Sequence, residues 1–129
     1  KIVIINGSAR KGNTLTAINA FKIDKIAAAD MILFATPVYW WGMSAQLKLI
    51  IDKCYCRGLQ LKNKKLADFV GGSPVDSIQY ELIDKQFDCM AKYLSWDMLF
   101  KKYYYATARD ELEKNKDSMN ELEGIGKNL

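Results

Sequence analysis

Nine consecutive residues near the start of the chain, Asn6-Gly7-Ser8-Ala9-Arg10-Lys11-Gly12-Asn13-Thr14, combine short donors, two cations and two glycines. Ser8, Asn13 and Thr14 supply hydroxyl and amide groups, and Arg10 a planar cation that can hold an anion through paired N–H groups. Gly7 and Gly12 let the backbone come close to a ligand. A helix opening at Asn13 or Thr14 would add unpaired amides and the positive end of its dipole. This is the chemistry of a phosphate cradle, and the same residues also make ordinary loops and caps. The segment contains neither G-x-x-x-x-G-K-[ST] nor G-x-G-x-x-G, which sets aside a nucleoside-triphosphate loop and the common dinucleotide motif.

A second cluster, Thr36-Pro37-Val38-Tyr39-Trp40-Trp41-Gly42-Met43-Ser44, places three aromatics in a row behind a proline. Neighbouring side chains diverge, so the three cannot all enter one core, and at least one is expected to wall a cleft. A flat conjugated ligand stacked there gains about 1 kcal/mol per aromatic pair beyond area burial. A hydrophobic plug or a contact between copies is the other use. Gly71-Gly72-Ser73-Pro74 is a third cluster, bare enough for a planar ring to approach, or a plain turn. A phosphate grip, an aromatic wall and a glycine floor together suit a flat cofactor carrying one phosphate.

Histidine is absent, which removes Ser-His-Asp and Cys-His catalysis, His-ligated zinc and histidine acid–base chemistry. The 129 residues are 50% hydrophobic and 26% charged, as expected of one globular domain over residues 1–129. Nineteen Lys and Arg against 15 Asp and Glu give a net charge of +4. A solvated Lys-rich surface is the plain reading of that charge and attraction of small anions the functional one, and there is no Arg-rich run of the kind that binds nucleic acid. Cys54, Cys56 and Cys89 have neither metal-knuckle nor disulfide-scaffold spacing, so reduced thiols and a cytoplasmic location are expected. No apolar stretch approaches the ~20 residues that span a bilayer, and no membrane partner is expected.

Elements of regular structure must bring the three clusters together. Ile2-Val3-Ile4-Ile5 is unbroken apolar, as in a strand covered on both faces, so strand one is predicted near the middle of a parallel sheet. Met31 to Ala35 repeats the pattern and is predicted to stop at Pro37, which can donate no ladder bond. Leu66 to Val70 gives a third strand and Leu99 to Ala106 an aromatic fourth. Helices are predicted to begin near Leu15, to run from Ser44 to Arg57 and from Ile78 to Leu94, and, more weakly, from Ser118 to Lys127. The alternation predicts an α/β fold, a doubly wound parallel sheet with helices on both faces. The three clusters then fall at the carboxyl ends of strands, where such sheets bind ligands. Only Thr14 to Asp30 joins the first two strands. With that connection the sheet has four strands and the first falls at an edge, where a long apolar strand invites aggregation. A strand and part of a helix are therefore expected to be missing around Lys22 to Asp24, with shorter gaps near Gly72 and Ala108.

Asn6 to Thr14, taken with Ala35-Thr36-Pro37-Val38-Tyr39-Trp40-Trp41-Gly42-Met43-Ser44-Ala45-Gln46-Leu47-Lys48, resembles the NADPH-dependent FMN reductase family, especially its branch related to iron-sulfur flavoproteins. The likeness extends over most of the chain, including the third strand, Gly71-Gly72 and the long helix after them. It implies a flavodoxin-like fold, noncovalent FMN, NAD(P)H as electron donor and a homodimer or homotetramer. By the same resemblance Ser8, Arg10, Asn13 and Thr14 hold the phosphate, with Lys11 and Gly12 contributing through the loop. Pro37, Val38, Tyr39 and Trp40 border the isoalloxazine, and Gly71 and Gly72 approach its far side. The compact cysteine cluster of the iron-sulfur branch is missing, so no metal centre is expected. The implied function passes electrons from NAD(P)H through flavin to a small acceptor such as a quinone or flavin, with no side chain acting as catalytic acid or base. A flavodoxin-type carrier without nicotinamide activity ranks second, because a net +4 does not match its acidic surface. An interaction module presenting Trp40, Trp41 and Tyr103-Tyr104-Tyr105 is the third reading.

Overall fold

The computed structural model describes residues 1–7, 23–73, 77–106 and 111–129. In chain order it contains β1 (Ile2–Asn6), α1 (Ile23–Ala27), β2 (Met31–Tyr39), β3 (Gly42–Met43), α2 (Ala45–Tyr55) and a 3-10 turn (Gly58–Leu61). These are followed by β4 (Lys65–Gly72), α3 (Ile78–Leu94), β5 (Asp97–Tyr105), α4 (Glu111–Lys114) and α5 (Lys116–Lys127). Four strands form a parallel sheet in the order β1-β2-β4-β5, and β3 folds back antiparallel on the end of β2. The helix predicted to begin near Leu15 lies outside the described residues.

Two sequence expectations need correction. Strand one is not central: among the described residues β1 is an edge strand, with Ile2 and Ile4 exposed by 49% and 61% while Ile5 is buried. Successive side chains face opposite sides of a sheet, and only one side of β1 is packed. Nor does β2 stop at Pro37; it continues to Tyr39. The Ala35 carbonyl points towards β1 and accepts from the Gly7 amide at 2.6 Å. Two residues later, the amide that Pro37 lacks would point the same way, beyond the end of β1 at Asn6. No ladder bond is lost, so the proline costs the strand nothing.

One face of the sheet packs under two helices. Ile5, Ile32, Phe34, Leu66 and Val70 meet Leu47, Ile50, Ile51 and Cys54 of α2 and Ile83, Phe87 and Ala91 of α3. Phe34 stacks on Phe87 with ring centroids 5.2 Å apart. These helical residues recur at three and four, the period that gives each helix one apolar stripe. On the other face Met31, Leu33 and Ala67 cluster with Phe69 and Phe100. Lys102, in register with Phe69, ties α5 to this face through an ion pair with Glu121. The chain therefore has the flavodoxin-like α/β arrangement, with helices on both sides of a parallel sheet.

Polar ties hold the far ends of the strands, where they enter the sheet. Lys64 is buried, and its ammonium donates to the carbonyls of Ala27 at 2.8 Å and Ala29 at 2.6 Å. A buried cation needs such partners, and here they lock the start of β4 against the segment leading into β2. The Trp96 indole N–H likewise donates to the Leu61 carbonyl, fixing the 3-10 turn beneath the core.

Candidate functional site

Parallel strands bring their carboxyl ends to one edge, and the register shows how closely. Asn6 lies opposite Ala35, Pro37 opposite Gly71, and Gly72 opposite Tyr105. The clusters around Gly7, Pro37 to Met43 and Gly71 to Ser73 therefore share a rim. Of the site residues expected from sequence, Pro37, Val38, Tyr39, Trp40, Gly71 and Gly72 are brought together there. Ser8, Arg10, Lys11, Gly12, Asn13 and Thr14 lie outside the described residues.

The rim is braced where β1, β2 and α2 meet. Ser44 is the N-cap of α2: its hydroxyl accepts from the Leu47 amide at 3.3 Å, satisfying one of the helix's orphan donors. Its own amide donates to Thr36 Oγ1 at 2.9 Å, and that hydroxyl donates to the Pro37 carbonyl at 2.9 Å. Ser44 and Thr36 are both buried. Gly7 completes the brace by having no side chain. A Cβ there would collide with Ser44 Oγ and come within 2.9 Å of Leu47 Cβ. Ser44 is legible as a cap, standing just before a helical period. Its bond to Thr36 and its press against Gly7 depend on tertiary contact, so those roles carry no sequence signal.

Beyond this brace β2 turns through Tyr39-Trp40-Trp41-Gly42 and returns as β3, with Tyr39 paired to Gly42 and Val38 to Met43. Trp40 and Trp41 have φ of 48° and 59°. Positive φ at both central residues of a two-residue hairpin loop is the type I′ geometry, which ordinarily takes Asn-Gly or Gly-Gly. Left-handed backbone costs a side-chain-bearing residue roughly 1–2 kcal/mol. Burial does not repay it, because Tyr39, Trp40 and Trp41 are 46%, 90% and 47% exposed. None of the three aromatics enters the core, one step further than the diverging-neighbour argument required. The two indoles stand 5.8 Å apart, tilted by 43°.

The two glycines on β4 differ. A Cβ on Gly71 would meet nothing closer than the Tyr104 carbonyl at 3.9 Å, so a ring can lie against that backbone. A Cβ on Gly72 would fall 2.9 Å from the Tyr80 hydroxyl and 3.0 Å from Val38 Cγ2. Packing alone accounts for glycine at 72. Tyr80 Oη and Gln79 Nε2 donate to the Ser73 carbonyl at 2.8 and 2.7 Å, which pins the end of β4 to the start of α3. A cavity of about 790 Å³ lined by Tyr55, Leu59, Met90 and Tyr93 is remote from this rim. It lies at the other end of α2, the helix whose first turn sits at Ser44.

Deeper on the helix-covered face lies a polar cluster that composition did not reveal. Asp68 is fully buried on β4, and neither carboxyl oxygen has a hydrogen-bond partner. Its pKa is raised to about 7, first by burial and then by the Asp84 carboxylate, with Lys101 opposing. The Lys102 backbone amide pulls the same way as Lys101. Asp84 accepts from the Tyr103 hydroxyl, and Lys101 pairs with Asp88 at 2.7 Å. Burial, with that bond to Asp84, also drives the Tyr103 hydroxyl well above its ordinary pKa. Asp68 stands four residues short of Gly72, about 13 Å along the strand from the rim. It is a feature of the core, not of the ligand edge. Among the described residues no three His, Cys, Asp or Glu side chains gather as a metal site requires, and no helix is long and apolar enough to cross a membrane.

Residues 19–87, just over half the chain, match the family model described as NADPH-dependent FMN reductase. Over 31 residues the chain is 52% identical to a Bacillus subtilis (strain 168) protein named as an NAD(P)H-dependent FMN-containing oxidoreductase, YwqN; the match covers 24% of this chain and 17% of that relative. Among solved structures, the Trp repressor binding protein from Bacillus subtilis superposes with a TM-score of 0.74 at 19% identity, over 93% of this chain and 95% of that one. General stress protein 14 from Treponema denticola, solved in complex with FMN, gives 0.66 at 16% identity, over 88% and 77%. An NADPH-quinone reductase from P. pentosaceus gives 0.64 at 16% identity, over 96% and 92%. At such identities the likeness is one of fold.

Proposed function

The chain belongs to the NADPH-dependent FMN reductase family, and from that premise we propose that it is an FMN-dependent oxidoreductase passing electrons from NAD(P)H to a small acceptor such as a quinone or flavin. The observation that carries this reading is the shared rim, where the aromatic turn of β2 and the open backbone of Gly71 lie side by side. Gly71 is the test of fit, since the space a side chain would fill there is free. The FMN-bound relative of the same fold supports the choice of ring.

In this reading Pro37, Val38, Tyr39 and Trp40 border the isoalloxazine, with Gly71 and Gly72 towards its far side. Ser8, Arg10, Asn13 and Thr14 hold the phosphate, with Lys11 and Gly12 shaping the loop. FMN held there would supply the two-electron redox chemistry between NAD(P)H and the acceptor. The protein's part is to position and to exclude water. Thr36 and Ser44 fix the backbone of β2 so that Val38 and Tyr39 keep their places, and the Tyr80 bond to Ser73 fixes the opposite wall. No side chain need move a proton.

An absorption spectrum after purification with added FMN tests the cofactor, and flavin bands are the expected result. Arg10→Ala should weaken FMN retention about tenfold in equilibrium dialysis while leaving the melting temperature near that of the parent. Stopped-flow reduction by NADH and NADPH separates this enzyme from an electron carrier; a carrier would bind flavin yet stay oxidised.

Self-association and a cytoplasmic setting belong to the same proposal. All three cysteines are free, which suits a reducing compartment. On α3, Leu82, Cys89 and Tyr93 form one exposed line, with Glu81, Lys85, Asp88 and Lys92 along its flank. Laid antiparallel on a second copy, Glu81 would face Lys92 of the partner subunit and Lys85 would face Asp88 of the partner subunit. Opposite charges then meet along an apolar seam. Light scattering in solution should give the mass of a homodimer or homotetramer, and a monomer mass would remove this part of the reading.

A further inference from the structure

We propose that β1 pairs with β1 of a second copy, antiparallel about a twofold axis at Val3, so that the sheet runs on across two molecules. This contact is separate from the α3 seam and does not depend on the flavin.

The argument begins with the backbone. Along a strand of a parallel sheet, the polar groups of alternate residues face opposite neighbours. The Lys1 carbonyl accepts from the Met31 amide at 3.2 Å, and the Gly7 amide donates to the Ala35 carbonyl at 2.6 Å, so it is the odd-numbered residues of β1 that face β2. The N–H and C=O of Ile2 and Ile4 therefore face outward, and among the described residues no strand meets them.

Proteins guard such edges with lysines, prolines or bulges. The two edges of this sheet differ in that respect. β5, at the other end, carries Lys101 and Lys102 in mid-strand and a register shift where its partner β4 passes from Leu66 to Ala67. β1 reads Ile-Val-Ile-Ile-Asn, with no charge, no proline and an unbroken register against β2. Ile2 and Ile4 are exposed as well. One edge is closed to other strands and the other is left open.

The open edge is complementary to itself. With Val3 opposite Val3 of the partner subunit, Ile2 falls opposite Ile4 of the partner subunit and Ile4 opposite Ile2 of the partner subunit. Both of these pairs have their polar groups turned outward, so each exchanges its two backbone bonds. The isoleucines of both copies come to one face, the face of Met31 and Leu33, and the small apolar cluster there continues across the axis. Charge favours the same occupant. Ile2 to Ile5 bear none, and Lys1 falls opposite Ile5 of the partner subunit, clear of its own counterpart, so two chains of net charge +4 meet here without like charges in contact. A charged peptide would find no counter-charge on this strand. Because both copies use the same edge, pairing consumes it and the assembly closes.

The test compares the full chain with Ile4→Lys and Ile4→Val by light scattering and by amide hydrogen exchange. Ile4→Lys puts a cation where a single copy meets water and a paired copy meets Ile2 of the partner subunit. Its far-UV circular dichroism should match the parent, and its mass should fall to half. Ile4→Val should keep the parent mass. In the parent the Ile2 amide should be protected although it points away from β2, and in Ile4→Lys it should exchange about a hundredfold faster. Leu82→Lys, which breaks the α3 seam instead, should leave that protection in place. A mass unchanged by Ile4→Lys, an Ile2 amide that exchanges freely in the parent, or a mass that climbs without limit as concentration rises would each overturn the twofold pairing. Should Ile4→Lys fail to fold, exchange at Ile2 in the parent decides alone.

Discussion

Asp68→Asn should raise the melting temperature at pH 8 by on the order of 10 °C and change it little at pH 4. The buried carboxyl has a pKa near 7 in the folded protein against an ordinary value of 3.8. The folded state thus holds its proton more tightly than the unfolded chain does. Stability from this group is complete below about pH 4 and drains away as pH rises through 7. At 1.36 kcal/mol per unit, the full loss is about 4 kcal/mol. Desolvation is the main cause, and Asp84 adds repulsion from α3; Lys101, already paired with Asp88, repays little. Asparagine keeps the shape and removes the charge. Thermal denaturation followed at several pH values measures the effect, and a parallel pH dependence in parent and variant would show that Asp68 is not its source.

Gly7→Val should lower the unfolding free energy by roughly 3 kcal/mol, the upper part of the range for overpacking. Even the first atom of the new side chain would overlap Ser44 Oγ and Leu47 Cβ, and the Ala35 carbonyl lies at 3.3 Å. The N-terminus of α2 must then back away from β1, and the Thr36–Ser44 bond that braces the rim is stretched. Urea denaturation reads the stability loss. FMN retention should fall with it, because the damage is centred on the candidate site. Ser44→Ala alone should cost about 1 kcal/mol through the lost cap. Combined with Gly7→Ala it should cost less than the sum of the two, since removing Oγ relieves part of the collision.

The sequence carried the fold well where periodicity was clean. Ile78 to Leu94 appears as expected, and the helix expected from Ser44 to Arg57 forms over Ala45–Tyr55 with Ser44 as its cap, because a 3.6-residue apolar stripe has one way to be buried. β1 misled because an unbroken run of Ile and Val reports what could be covered on two faces, not what is. Pro37 misled because whether a missing amide matters depends on the length of the neighbouring strand. For the site, the loops themselves were legible as glycine, aromatic and donor clusters. Their brace was not: Thr36 with Ser44, Tyr80 with Ser73 and Gly7 against Leu47 are meetings between elements distant in the chain. Asp68 was equally silent, since a lone acid inside an apolar strand looks the same whether it is solvated or sealed.

The order of the described strands across the sheet is also their order of synthesis. Ile2 meets Met31, Met31 meets Lys65 and Lys65 meets Asp97, so partners are separated by 29, 34 and 32 residues. Each new strand docks on the edge its predecessor has just left open, and none of those described must be inserted between two already in place. Loop closure is met in similar modest steps. A nascent chain leaving the ribosome can therefore grow this sheet outward from β1, strand by strand, with β5 the last to seal it.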